Sequence, residues 1–179
     1  MLPSLSTDPL HTLILLNNLA EAGFLTESLY NVQGGRWRQA LTTTIGELFA
    51  TTVSSDLDLV ANRRVMGQLL HLLPAMSSEG AGMVARVVDI INGLTGDNAS
   101  RHEVETEWET AGPWNKSHLL AVALEAAEAF STRDDVRSTL REQLLDSGKL
   151  FEIAERWSWN REVMGQVASF VELWADMIG

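Results

Sequence analysis

The residues that could do chemistry are few. The histidines are His11, His71, His102 and His118, and no two stand three or four apart, the spacing that sets two metal ligands on one helical face. His102-Glu103 resembles the opening of a zinc-protease helix, but Thr106 stands where the second histidine is needed. With no cysteine there is no thiolate, as nucleophile or as zinc ligand. Acids are concentrated in Asp97 to Pro113, where Asp97, Glu103, Glu105, Glu107 and Glu109 stand against Arg101, a local charge of −4. That run lacks the Asp/Asn spacing and central glycine of a calcium loop. Two readings fit it: a solvated face, or a landing site that steers a basic partner.

Glycine-rich and basic motifs carry little more. Gly34-Gly35, Gly80-Ala81-Gly82 and Gly93…Gly96 follow no strand and do not run into Gly-Lys-Ser/Thr, so they cradle no phosphate. No Gly-x-Ser-x-Gly elbow exists. Arg36-Trp37-Arg38 and Arg63-Arg64 are the dense basic spots, and capping or pairing with nearby acids is their expected role. Asn98-Ala99-Ser100 and Asn115-Lys116-Ser117 match a glycosylation triplet and are read as coincidence. There are six Trp and one Tyr. Trp108 and Trp114 fall in the polar connection, where a ring that large either folds back on the core or anchors an interface.

The elements that must position these residues are helical throughout. The chain has 179 residues, 45% hydrophobic, with a net charge of −11. Such a chain has enough apolar surface to fold without a staple, and it lacks the basic clusters of a nucleic-acid-binding domain. No apolar run approaches the ~20 residues of a membrane span, and the first ten residues carry no Lys or Arg for a signal peptide. The cytoplasm or nucleus is the expected location.

Apolar spacing predicts helices from Pro9 to Gly23, Phe24 to Val32, Arg36 to Val53, Ala61 to Met76, Met83 to Leu94, Lys116 to Phe130, Asp134 to Asp146, Leu150 to Trp157 and Arg161 to Ile178. Ser77 to Gly80 reads as a loop. Laying residues 11–54 on 136–179, an offset of 125, pairs Leu15 with Leu140, Leu19 with Leu144, Gly23 with Gly148, Leu25 with Leu150 and Arg36 with Arg161. Both ends then read helix, glycine stop, short helix, loop, long helix. The offset is close to three units of about 42 residues, a period of stacked helical repeats.

This pattern resembles the armadillo repeat and its relative the HEAT repeat. Val136 to Met177 looks like one complete unit. Leu145-Asp146-Ser147-Gly148-Lys149-Leu150 is similar to the family's glycine turn between first and second helices. Ile91-Asn92-Gly93-Leu94-Thr95-Gly96 resembles the end of a third helix. Importin-like members place a Trp four residues before such an Asn; here Val88 stands there, so recognition of nuclear signals is not implied.

The expectation is an all-α, right-handed solenoid of about four armadillo/HEAT-like repeats in a single domain, at 8–54, 55–97, 98–132 and 133–179, with an irregular helical bundle as the alternative. The resemblance implies a non-enzymatic protein–protein interaction module with no cofactor or metal. It would bind a protein or peptide, a basic one among the candidates, and neither nucleic acid nor membrane. The expected contact surface is that of the third helices, through Arg38, Thr42, Asn92 and Glu125. A second region is Glu103, Glu105, Glu107, Trp108 and Glu109. Two other readings stay open. One is a small acidic inhibitor or immunity-type protein that blocks a basic site. The other is an enzyme or small-ligand bundle with Glu47 and Glu172 facing inward.

Overall fold

The computed structural model of the chain describes residues 9–22, 43, 47, 60–76, 80–95 and 115–178, and all regular structure among them is helical. The chain divides into two compact units, Met1–Ser78 and Glu79–Gly179.

In the first unit α1 (Pro9–Glu21) packs on α2 (Val60–Met76). Leu13 and Leu16, one turn apart, bury the contact face of α1. Met66, Leu69 and Leu70 do the same on α2. A polar clamp fixes the pair: the Asn17 amide donates to the Gln68 carbonyl at 2.9 Å and to its side-chain oxygen at 2.7 Å. Arg63 is buried while Arg64, a third of a turn round the helix, is exposed. Thr43 and Glu47, within the expected Arg36 to Val53 helix, are helical and exposed. The rest of that helix and the expected Phe24 to Val32 helix lie outside the described residues.

The second unit is built around α4 (Lys116–Phe130), which packs against α3 (Gly80–Thr95) and α7 (Arg161–Ile178). Neighbours on both sides explain its composition. Leu119 through Leu124 are buried without interruption, and alanines at 121, 123, 126 and 127 let the helices approach closely. The chain leaves α4 through a turn into α5 (Asp134–Leu140), which continues as a π-helical stretch, Arg141–Asp146. Then come α6 (Lys149–Arg156) and α7. Gly80 starts α3 rather than ending a loop, and the expected Asp134 to Asp146 helix is α only in its first half. The wider turn shows at its end, where the Ser147 N–H donates to the Glu142 carbonyl five residues back at 3.1 Å. Val136, Leu140 and Leu144, spaced by four, are all fully buried along the α and π stretches.

Local chemistry sets the ends. Asn115 caps α4, its side-chain oxygen accepting from the His118 N–H at 2.9 Å, and Asn160 caps α7 by accepting from the Val163 N–H at 3.0 Å. Asn115 is itself buried, as is Ser117 of the same triplet. Arg137 closes the α4–α5 turn through its contacts to the carbonyls of Ser131 and Thr132. Gly148, at φ 79° and ψ 8°, makes the left-handed turn into α6. The sequence reading assigns the inter-helix turn to that residue. Displaced by 125 residues, Pro9–Glu21 falls on 134–146, the span of α5 and its π continuation.

Candidate functional site

The α4–α7 seam carries the most distinctive surface among the described residues. Near the start of both helices, His118 Nδ1 lies 2.6 Å from Glu162 Oε1. Further along, the Ser169 hydroxyl donates to Glu128 Oε1 at 2.7 Å. Both ties advance in the same direction along both helices, so α4 and α7 run parallel.

Around the Glu128–Ser169 tie the seam opens into a groove of about 410 Å³ lined by Glu125, Glu128, Ala129, Thr132, Gln166, Ser169 and Leu173. The lining repeats at helical spacing on each side: 125, 128/129 and 132 from α4 and the turn after it, 166, 169 and 173 from α7. The neighbouring arc of α7 is core, with Val163, Val167, Phe170 and Trp174 buried and the last two rings stacked at 6.1 Å between centroids. Thr132 is pinned by its own hydroxyl, which donates to the Ala129 carbonyl at 2.9 Å.

Chemically the groove offers two carboxylates, an amide, two hydroxyls and an apolar wall of Leu173 and Ala129. It contains neither lysine nor arginine, so its formal charge is −2. Among the described residues, no group of three or more His, Asp or Glu could hold a metal ion, and no helix is long and apolar enough to cross a membrane.

The sequence-expected positions divide as follows. Glu125 is exposed and lines the groove; Asn92 is exposed on α3 and does not line it. Arg38, Thr42, Glu103, Glu105, Glu107, Trp108 and Glu109 lie outside the described residues, as does His102. Glu47 and Glu172, expected inward by the small-ligand reading, are both exposed. For Glu172 the reason is phase: it lies two residues from both Phe170 and Trp174, which take the core face. Arg161, Glu162, Glu172 and Asp176 are all exposed on α7, with Glu162 turned to His118 at the seam.

Glu128, Thr132, Gln166 and Ser169 were not singled out from sequence. A second offset, 45 residues, relates the two helices that carry them. Trp114-Asn115-Lys116 matches Trp159-Asn160-Arg161, and Val122-Ala123 matches Val167-Ala168. These matches put the two caps, and hence the two helices, in one register. No protein-family model, curated protein or solved structure matches the chain.

Proposed function

We propose that the chain is a protein–protein interaction module of armadillo/HEAT-like stacked repeats that docks a peptide or a partner domain in the α4–α7 groove. The observation that carries this is the open seam between two parallel, like-capped helices. Consecutive helices of a bundle joined by short loops run antiparallel, whereas stacked repeats set equivalent helices side by side in one direction. In this reading α4 and α7 are successive third helices, and α5 with its π extension and α6 are the first two helices between them. The stripe of polar and small residues they leave uncovered has the mixed character of a recognition surface.

The test is peptide selection against the full chain. A displayed random library is enriched on the wild-type protein and then challenged with Ala129→Arg, which fills the groove from an exposed position. The expected result is enrichment of a defined sequence class whose binding is lost in this variant. Failure to enrich any peptide over an unrelated helical protein, or binding that survives Ala129→Arg, refutes the assignment of the groove.

A further inference from the structure

We propose that the α4–α7 groove receives an arginine side chain presented by a segment of the partner protein. This rests on the interaction reading above and names the chemistry of the partner. Glu125 and Glu128 project from adjacent turns of α4 into one groove whose lining contains no cation. Two like charges side by side in one open groove attract a cation and raise its local concentration there. An anionic partner segment is repelled.

The rest of the lining selects among cations. The Ser169 hydroxyl takes Glu128 Oε1 at 2.7 Å, which orients that carboxylate and leaves its second oxygen for another donor. Gln166 on the facing helix and the Thr132 hydroxyl add neutral acceptors. Acceptors thus lie on both walls. A guanidinium carries five N–H groups in a planar fork and can engage several of them at once, whereas an ammonium is a compact, strongly hydrated point charge. Leu173 and Ala129 supply the apolar surface along which an arginine stem lies while its head meets the carboxylates.

The experiment is an amide-resonance titration of the full, isotope-labelled chain with three blocked pentapeptides, acetyl-Ala-Ala-Xaa-Ala-Ala-amide, where Xaa is arginine, lysine or the neutral arginine isostere citrulline. The arginine peptide is expected to shift resonances of residues 125–132 and 166–173. The lysine peptide binds about tenfold more weakly, the loss of roughly one charge-assisted hydrogen bond, and the citrulline peptide leaves the spectrum unmoved. In the double variant E125Q/E128Q the arginine response disappears, while resonances of α6 stay in place and report an intact fold. Equal binding of lysine or citrulline, shifts confined to other surfaces, or an undiminished response in the double variant overturns the proposal. The two readings fail separately. Library peptides that need the groove but carry no arginine leave the interaction module standing and remove the arginine. Arginine occupancy of the groove without any selected peptide does the reverse.

Discussion

Three glycines of the second unit receive the same substitution and should answer with opposite signs. A Cβ built on Gly93, Gly148 or Gly165 meets nothing within 4 Å, so alanine clashes with no neighbour at any of them. What differs is the backbone. Gly148 sits at φ 79°, in the left-handed region, while Gly93 and Gly165 lie inside α3 and α7. A left-handed conformation costs an alanine about 1–2 kcal/mol, partly offset by the smaller entropy of its unfolded chain. Gly148→Ala is therefore expected to destabilise by about 1 kcal/mol. In a helix interior alanine is better than glycine by about 0.5–1 kcal/mol, so Gly165→Ala and Gly93→Ala stabilise by that amount. The spread of about 1.5–2 kcal/mol corresponds to several degrees of melting temperature for a unit of this size. Five of the six tryptophans belong to the second unit, so denaturant unfolding followed by tryptophan fluorescence reports on it. The midpoints should move apart with the slope unchanged. A neutral or stabilising Gly148→Ala would refute the turn as the cause, and so would a Gly148→Asn no better tolerated than alanine, since asparagine enters the left-handed region more readily.

Two further outcomes follow from burial and charge. Phe170 is fully buried and Phe151 is 78% exposed, so Phe170→Ala should cost about 3–5 kcal/mol and Phe151→Ala no more than about 0.5 kcal/mol by the same unfolding assay. The Lys149 side chain, 2.8 Å away, holds the Glu152 carboxyl below its ordinary pKa by hydrogen bonding; partial burial opposes the shift, and the charges of Lys149 and Arg156 add to it. A depressed carboxylate contributes stability that is present above the ordinary glutamate pKa and lost as pH falls through the folded value. Glu152→Gln should therefore flatten the acid side of the stability–pH curve and leave its shape near neutrality unchanged; an unaltered acid limb counts against the pair.

Legibility in the sequence followed the strength of local signals. Lys116–Phe130 and Arg161–Ile178 were readable to the residue, because the apolar periodicity of each is sustained; the asparagine caps that open them became visible only in the structure. Gly148 was readable because few residues other than glycine adopt its backbone. The π stretch was not, since a spacing of four between Val136, Leu140 and Leu144 also fits an ordinary helix when the neighbours are unknown. Nor does burial follow the 125-residue match at every position: Leu140 is fully buried, whereas its counterpart Leu15 is 58% exposed. Identity at matched positions reports common helix boundaries, and the face each helix buries is decided by what packs on it. The candidate site shows the same division. Glu125 is expected from the sequence to be an exposed polar position, and it is exposed. Its partners across the groove are not expected, because Gln166 and Ser169 are unremarkable polar residues until α7 is known to lie parallel to α4.

That parallel relation is what makes a groove there at all. Two helices joined directly by a short loop return antiparallel, and their connection covers one end of the seam. To bring α7 alongside α4 in the same direction the chain must first travel back, and residues 131–160 do so through α5, the π stretch and α6. None of the groove's lining comes from α5, the π stretch or α6, so the return path leaves this stretch of the seam open. The seam between the two helices therefore acquires a stripe of residues at i, i+3 and i+7 on both walls. On those stripes the sequence places carboxylates, an amide, hydroxyls and small apolar groups rather than core residues. A bundle with no use for the seam gains by filling it with leucine, as α4 does at its buried positions Leu119, Leu120 and Leu124. Keeping Glu125 and Glu128 there forgoes that burial, about 25 cal/mol for each Å² of apolar surface that could have been covered. That sacrifice of packing is the argument for recognition at this site, and replacing both glutamates with leucine should raise stability while abolishing binding.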